Sequence, residues 1–396
     1  MTEGRVARFL ESEIISLVGA APRYDLGESL GPDLRVGELL RPSDPSSNSP
    51  HDLSGDFSDL GGLALGYASA EGNLQLREIV ARLHGVGPDD VVLTIGSMHA
   101  LFLIAFILCD RGSEAVAISP LFPPARNVLD AVGAKVRVLS LSFGRGYRPD
   151  LTELRGLLSS QTRLVSLASP QNPSGIAIAR DDLRELLAMM EETCPDAYLL
   201  VDETYRVAAY GEEADVAASA VALSARVIST ASLSKCHGAP GLRLGWAITR
   251  DASLRRQLVL GKFNTVISCS PVDEALALKV FEDSDRFVSE RRRLRTEGLA
   301  ITADWVRGNS DLVDWVRPDA GAFCCVRLKP RIYDDAAVSR FYGALADKGV
   351  RVANGAWFGD EQRVFRLGFG LLAMSKLRVA LQLVADTLRQ TSRTAA

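Results

Sequence analysis

Lys235 stands in the sequence where a lysine could act as a reactive amine. It follows an apolar run at residues 226–231 and lies between Ser232, Ser234 and a glycine-rich turn that carries Arg243. Loss of hydration at the end of a buried strand, together with a nearby cation, favours the neutral amine. A neutral lysine can form a Schiff base with an aldehyde. The alternative is an ordinary solvated lysine, which most lysines are.

Two further segments place polar groups directly after apolar runs. In residues 94–100, a predicted strand passes through Gly96 and Ser97 into a helix, whose N-terminal N–H groups could hold a phosphate. Ser97 could instead be a helix cap. In residues 169–175, Asn172 follows another run, although Asn-Pro and Ser-Gly pairs also form simple turns.

Asp202 ends a strongly apolar run, so its carboxylate is expected to be partly buried. A buried carboxylate needs a cationic or hydrogen-bonding partner, and a protonated ring nitrogen would serve. The alternative is a helix N-cap. Tyr205 follows three residues later and could direct its hydroxyl to the same place.

Ser232, Ser234 and Arg243 complete the set, because hydroxyl and guanidinium donors can surround a phosphate dianion. The segments together supply an anion cradle, a buried acid, an amide, a phenol and a lysine. Pyridoxal 5'-phosphate needs a phosphate anchor, an acid at its ring nitrogen, a donor to its ring oxygen and an imine lysine. We therefore expect a pyridoxal-phosphate site at the carboxyl ends of parallel strands.

A sheet must bring these segments together, and the sequence predicts one. Segments with helical periodicity, at 73–84 and 181–192, alternate with short apolar runs. The runs lie at residues 91–94, 115–118, 135–139, 164–167, 198–201 and 227–230. Continuous apolar runs are typical of strands buried on both faces, so the alternation predicts an α/β fold with a mostly parallel sheet sandwiched by helices.

A chain of 396 residues favours two domains. We expect an N-terminal segment at 1–62 that contributes to the smaller domain and to a cover over the site. A large cofactor-binding domain at 63–290 and a smaller α+β domain at 291–396 follow. The polar loop at 41–62 is rich in Pro, Ser, Asp and Gly and could form part of the cover.

Composition excludes several classes of function. The net charge of −4 gives no basic surface for nucleic acid, and no apolar stretch reaches the roughly 20 residues of a membrane span. The N-terminus lacks the apolar core of a signal peptide. Six scattered cysteines without a CxxC pair predict free thiols in the cytoplasm, and the four histidines form no spaced metal site.

The segment at 232–245 has the pattern Ser-x-Ser-Lys-x-x-Gly-x-Pro-Gly-Leu-Arg-x-Gly and resembles that of the class I/II aminotransferases. These enzymes share the aspartate aminotransferase fold, which is fold type I of the pyridoxal-phosphate enzymes. Asn172-Pro173-Ser174-Gly175 and Asp202-Glu203-x-Tyr205 occur in the family's order. The resemblance covers nearly the whole chain.

The resemblance implies that Lys235 carries the cofactor as an internal aldimine and moves the proton during the reaction. Asp202 would pair with the ring nitrogen, and Asn172 and Tyr205 would donate to the ring oxygen. The implied phosphate ligands are Gly96, Ser97, Met98, Ser232, Ser234 and Arg243.

The resemblance also extends outside these motifs. Phe122 matches the aromatic residue that stacks on the ring, although such a side chain also packs well in any core. Tyr67 is similar to the tyrosine that reaches the phosphate of the neighbouring subunit, which implies a homodimer. Arg366 resembles the arginine that grips the substrate α-carboxylate, and Gly27 the glycine whose backbone lines the substrate site.

The motifs do not decide the reaction. The leading hypothesis is an aminotransferase that acts on the α-amino group of an amino acid. The alternative is elimination, replacement or cyclisation on a functionalised, possibly arginine-derived amino acid, since residues 266–271 are similar to the capreomycidine-synthase type. No second substrate-binding arginine is assigned. Glu28 or Asp25 could hold a cationic side chain, or could simply be solvated loop acids.

Overall fold

The computed structural model describes residues 12–17, 21–29, 31–39, 62–210 and 218–392. The polar loop predicted at 41–62 lies outside these residues, apart from Gly62. The described strands are β1 (Tyr24–Leu26), β2 (Val91–Ile95), β3 (Glu114–Ser119), β4 (Lys135–Ser140), β5 (Thr162–Ala168), β6 (Tyr198–Asp202), β7 (Val227–Ser232), β8 (Leu244–Thr249), β9 (Val313–Val316), β10 (Phe323–Leu328), β11 (Val350–Asn354) and β12 (Val364–Gly368).

The helices alternate with the strands as the sequence predicts. The described α-helices are α1 (Val36–Leu39), α2 (Leu74–His84), α3 (Gly96–Leu108), α4 (Pro123–Val132), α5 (Leu151–Leu157), α6 (Arg180–Thr193), α7 (Ala252–Val266), α8 (Pro271–Glu282), α9 (Ser284–Gly308), α10 (Asp335–Asp347) and α11 (Met374–Thr391). Among them, none combines the length and apolar composition needed to cross a bilayer.

A seven-stranded sheet forms the larger of two sheets, in the order β2-β8-β7-β6-β5-β3-β4. The strands from β7 to β4 are parallel, whereas β8 runs antiparallel to both β2 and β7. Core side chains cover both faces, which is why the parallel strands have continuous apolar sequences. The α/β fold with a mostly parallel sheet is therefore confirmed.

Three neighbouring strands of this sheet end beside one another. Ala168 of β5 pairs with Asp202 of β6, which in turn pairs with Thr230 of β7. Because these strands are parallel, the segments that leave them emerge at the same edge of the sheet. The chain after β5 contains Asn172, and the chain after β7 contains Lys235.

The second sheet has five strands in the order β1-β11-β12-β10-β9. Strand β1 comes from the start of the described chain and runs parallel to β11, near the end of the chain. Gly368 of β12 allows close approach of the N-terminal segment, because a Cβ atom there would collide with the Glu28 carbonyl oxygen. Residues 27–29 are thereby held against the strand that carries Arg366.

Helix α9 follows the last strand of the larger sheet in sequence and contributes to the packing. Its buried side chains include Phe287, Arg295 and Leu299. Gly298 contacts the backbone of Phe369, where a Cβ atom would not fit. The charged sequence of α9 therefore forms a single long helix, and one of its charged residues, Arg295, faces inward.

Candidate active site

Lys235 lies just beyond the end of β7 and lines a cavity together with Ser29 and Tyr205. Burial is the largest cause of a Lys235 pKa that is lowered to about 8. Glu28 opposes this shift, whereas Arg366 acts in the same direction as burial. The neutral fraction of the amine at neutral pH is therefore far larger than for an ordinary lysine, as a nucleophilic lysine requires.

Asp202 directs one carboxylate oxygen to local groups and leaves the other without a partner. Its Oδ1 accepts hydrogen bonds from the Thr204 N–H at 3.0 Å and from the Thr204 hydroxyl at 2.6 Å. Within the described part of the chain, Oδ2 makes no hydrogen bond. Burial raises the pKa of this carboxyl, while the bonds from Thr204 and the charge of Lys235 lower it. Tyr205 occupies the N-cap position of the short 3-10 helix Arg206–Ala208 that follows, so Asp202 is not the N-cap of this helix.

Tyr205 is buried and points into the same space. Its hydroxyl is 2.8 Å from the Ser29 hydroxyl, so the N-terminal segment contacts the end of β6. The Tyr205 ring packs edge-on against Phe323, with ring centroids 4.9 Å apart. Burial raises the pKa of Tyr205, and the phenol stays protonated. It can therefore donate a hydrogen bond.

Arg366 brings together residues from three distant parts of the chain. One of its Nη atoms donates to Asn172 Oδ1 at 2.6 Å, and the other donates to the Gly27 carbonyl oxygen. The Arg366 guanidinium is 4.8 Å from the centroid of the Phe358 ring, and its Nε is buried without a partner. Asn172 therefore has a tertiary contact that a simple turn residue would not need.

The N-terminus of α3 lies against Arg243. Helix α3 begins at Gly96, and its N-cap residue makes no side-chain hydrogen bond, so capping by Ser97 is not observed. A Cβ atom on Gly96 would fall on the Arg243 guanidinium. Gly245 is equally constrained, because its Cβ would lie 2.5 Å from the Ser97 backbone nitrogen. The Arg243 guanidinium and the N–H groups at the start of α3 therefore lie close together.

The other predicted phosphate ligands differ in exposure. Ser232 is buried and its hydroxyl accepts a hydrogen bond from the Ser234 N–H at 3.3 Å. Ser234 is half-buried, as are Ser97 and Met98 in the first turn of α3. The Met98 side chain packs against the core beside α3, so the group it offers to a ligand is its backbone N–H.

Phe122 and Tyr67 are not joined to this cluster by a hydrogen bond. Phe122 precedes α4 and packs, partly buried, with Ile14 and Phe358, the latter being the ring under Arg366. Tyr67 is 84% exposed within the single chain. The chain alone therefore does not bring the Tyr67 side chain into the site.

The two acids near Gly27 have different environments. Asp25 is buried, and its Oδ2 lies 2.5 Å from Nη2 of Arg351 while its Oδ1 accepts the Gly27 N–H. Asp25 is thus neutralised within the fold, so our expectation that it could hold a cationic side chain is not supported. Glu28 is half-buried and acts electrostatically on Lys235.

Sequence reasoning missed three residues of the cavity beside Lys235. Ser29 contacts Tyr205, and Arg291 and Arg295 of α9 line the cavity wall. Ser29 could have been noticed because it is two residues from Gly27. The arginines lie in a run of charged residues that is typical of a solvated helix face, and only their i, i+4 spacing indicates a shared face.

A partly neutral lysine, an acid with one unpaired oxygen and a helix N-terminus beside an arginine lie at the strand ends of a mostly parallel sheet. This arrangement defines a fold type I pyridoxal-phosphate enzyme. The profile of the family Aminotransferase class I and II matches residues 52–383. The chain belongs to this family, and its cofactor is pyridoxal 5'-phosphate.

Similar proteins include an aminotransferase, a synthase and a cyclase. Capreomycidine synthase of Streptomyces vinaceus is 30% identical over 299 residues, which cover 75% of each chain. A pyridoxal-phosphate-dependent aminotransferase structure from Streptococcus suis has a TM-score of 0.81 at 25% identity, covering 93% of this chain and 94% of that one. The pyridoxal-phosphate-dependent cyclase OrfR has a TM-score of 0.80 at 25% identity, covering 94% of each chain.

Proposed function

We propose that this enzyme transfers the amino group of an α-amino acid, with Lys235 as the residue that holds the cofactor and moves the proton. The observation that carries this proposal is the position of Lys235, which lies beyond β7, shares a cavity with Tyr205 and acts electrostatically on Asp202. A pKa lowered to about 8 leaves the amine able both to accept and to donate a proton near neutral pH.

The donor set fits the cofactor. Asp202 Oδ2, unpaired within the described residues, would hold a proton on the ring nitrogen, and that partner would offset the cost of burying the carboxylate. Tyr205 and the amide of Asn172 would donate to the ring oxygen. When bound, the protonated ring accepts the electron pair left at the substrate α-carbon.

The phosphate would bind where α3 begins. The N–H groups of Gly96, Ser97 and Met98 offer donors at the positive end of the helix dipole. Arg243 supplies a full positive charge at Gly96. Ser232 and Ser234 would add hydroxyl donors from the adjoining turn. We further propose that Phe122 packs against the cofactor's pyridine ring, since the Phe122 side chain is only partly buried beside Phe358.

The substrate α-carboxylate would bind at Arg366. This guanidinium is buried against two aromatic rings, and its Nε has no partner in the described structure. Asn172 and the Gly27 carbonyl orient it, so an incoming carboxylate would meet a fixed fork of donors. With its carboxylate held at Arg366 and its amino group at the cofactor, the substrate would direct its α-hydrogen towards Lys235.

We propose a homodimer in which Tyr67 serves the partner's site. The exposure of Tyr67 and of Leu65, both 84%, supports this, because large apolar side chains so exposed often mark an interface. Two inactive variants, Tyr67→Ala and Lys235→Ala, test the idea when refolded together. Mixed dimers would contain one intact site, so activity should return; inactivity of a mixture shown to be dimeric would contradict shared sites.

The remaining expectations are also proposals. The division at 1–62, 63–290 and 291–396 is supported by the two sheets, and the pairing of β1 with the sheet of the C-terminal part supports a contribution of the N-terminal segment to the smaller domain. A cytoplasmic location is supported by the six cysteines, all of which are buried free thiols. Limited proteolysis and cell fractionation would test these two proposals.

A second candidate function is cyclisation or elimination on a functionalised amino acid. Its specific support is the similarity to capreomycidine synthase and to the cyclase OrfR. Product analysis separates the two reactions: purified enzyme is incubated with a panel of amino acids, with and without 2-oxo acids. Formation of a new amino acid only when a 2-oxo acid is present supports transfer. A cyclised or eliminated product without any 2-oxo acid supports the alternative.

A further inference from the structure

Glu203 belongs to the motif Asp202-Glu203-x-Tyr205, yet none of the roles proposed above uses it. Its N–H donates to the Thr230 carbonyl oxygen of β7 at 2.8 Å, so its backbone continues the pairing of β6 with β7. Successive side chains of an extended chain point to opposite sides. The Glu203 side chain accordingly leaves the strand on the side away from that of Asp202, and it is only 3% exposed.

The Glu203 carboxylate is held by contacts on both of its oxygens. Its Oε1 accepts a hydrogen bond from the Ala220 N–H at 2.5 Å, and its Oε2 accepts one from the Ser219 hydroxyl at 2.8 Å. The Nε atom of Arg206 lies 3.2 Å from Oε2 in a buried ion pair. A buried carboxylate with these partners is stable in its ionised form.

His84, the last residue of α2, reaches the same carboxylate. The Trp246 indole N–H of β8 donates to His84 Nε2 at 3.2 Å, and an indole can only donate. The proton of the neutral imidazole therefore lies on Nδ1, which is 2.9 Å from Ser219 Oγ and 3.3 Å from Glu203 Oε2. Burial lowers the pKa of His84, so the ring stays neutral. A chain of donors thus ends at the Glu203 carboxylate.

Two carboxylates therefore lie one peptide unit apart on opposite sides of the end of β6. Burial by itself raises the pKa of Glu203, but the contact with His84 and the charge of Arg206 outweigh it, so the pKa is lowered. Burial is also the largest cause of the raised pKa of Asp202, and the Glu203 charge adds to it, while Thr204 and Lys235 oppose it. A cation at the free oxygen of Asp202 would relieve this repulsion.

We propose that Glu203 is a positioning residue that acts through Asp202: its fixed negative charge strengthens the hold of Asp202 on the proton of the cofactor's ring nitrogen. The inference rests on the proposed function, because Asp202 must face that nitrogen. A negative charge behind Asp202 makes loss of the proton less favourable. The bonds to Ser219 and Ala220 keep that charge in one place.

The test follows the ring nitrogen directly. Holoenzyme is reconstituted with cofactor labelled with nitrogen-15 in the ring, and the nitrogen chemical shift is recorded by NMR as a function of pH. Glu203→Gln keeps the shape of the side chain and removes its charge, whereas Glu203→Asp keeps the charge. Glu274→Gln is the matched control, because Glu274 is also 4% exposed and its carboxylate accepts the Asn73 N–H outside this network.

We expect the ring nitrogen of Glu203→Gln to lose its proton at a pH about one unit or more below that of the wild type, since an interacting charge has been removed. The turnover number should fall by up to about tenfold while KM stays within a factor of about two, because the substrate contacts are unchanged. Glu203→Asp and Glu274→Gln should keep the nitrogen protonated over the same pH range as the wild type.

An unchanged nitrogen titration in folded Glu203→Gln would overturn the inference, and so would an equal shift in Glu203→Asp, because the charge would then not be the cause. If Glu203→Gln does not fold, the same change is made in Arg206→Gln, where the cation of this ion pair is also removed, and is compared with Arg206→Gln alone. Failure of the proposed function looks different: the wild type itself would then show no cofactor band on Lys235.

Discussion

Two regions of the site are built in different ways. The proposed cofactor region, meaning Asp202, Tyr205 and Lys235, comes from adjacent ends of strands in one sheet. The proposed substrate region, meaning Gly27, Asn172 and Arg366, is joined by hydrogen bonds that span 194 and 339 residues of sequence. The first region depends on the register of neighbouring strands. The second depends on the packing of the N-terminal segment against the five-stranded sheet.

This difference predicts that changes in the cofactor region act on the chemistry, whereas changes in the substrate region act on binding. In the cofactor region, Asp202 is supported by a local hydrogen bond from the Thr204 hydroxyl. In the substrate region, Arg366 itself is the link between distant segments. Substitutions in the two regions should therefore separate turnover from KM.

The largest effect is expected for Lys235→Ala. Loss of both the cofactor attachment and the proton carrier should lower turnover by at least about 10⁴-fold. In the wild type, borohydride reduction followed by peptide mapping should find the cofactor on Lys235. A label on another lysine would disprove the assignment of the whole cofactor region.

Asp202→Ala should rank next. Removal of a preorganised charge partner costs on the order of 3–4 kcal/mol in transition-state stabilisation, so turnover should fall by about 10²- to 10³-fold, with weaker cofactor binding. Asp251→Ala is the control, because Asp251 caps α7 through the Leu254 N–H at 3.0 Å. It should cost about 1 kcal/mol in the free energy of unfolding and leave turnover intact. Near-normal turnover in Asp202→Ala would place Asp202 in a structural role.

Arg366→Ala should act on binding. We expect KM for α-carboxylate substrates to rise by about 10- to 100-fold, the loss expected for a charged fork, while the cofactor spectrum is retained. Arg363→Ala is the control, since Arg363 precedes β12 and pairs with the exposed Asp335 at 2.8 Å. Steady-state kinetics on both variants would show the contrast, and an unchanged KM in Arg366→Ala would move the carboxylate site elsewhere.

The smallest effect is expected for the pH dependence of cofactor loading, which depends on Lys235 and on Glu28 beside Gly27. Because only a neutral amine captures the cofactor, the loading rate of the cofactor-free protein should fall about tenfold per pH unit below a pKa of about 8 and level off above it. Glu28 raises the pKa of Lys235, so Glu28→Gln should move the profile to lower pH. Stopped-flow loading at several pH values measures this, and a shift to higher pH would contradict the proposed contact.

The sequence was sufficient for the fold and the cofactor because both depend on local patterns. Apolar runs predicted the parallel strands, and polar residues at their ends predicted where Asn172, Asp202 and Lys235 would meet. Arg295 was hidden, because which face of a charged helix turns inward is set by contacts such as that of Gly298 with Phe369. Asp25 also needed the structure, since its partner Arg351 is 326 residues away.

The pairing of β1 with β11 has a consequence for the order in which the enzyme becomes complete. During translation, all seven strands of the larger sheet have been synthesised once Thr249 is added, whereas Arg366 is still to be added. Tyr24, Asp25 and Leu26 have no partner strand until Val350, Arg351 and Val352 are made. Lys235 is therefore synthesised well before Arg366, the group that would select the amino acid, and the first of the described strands is among the last of them to be paired.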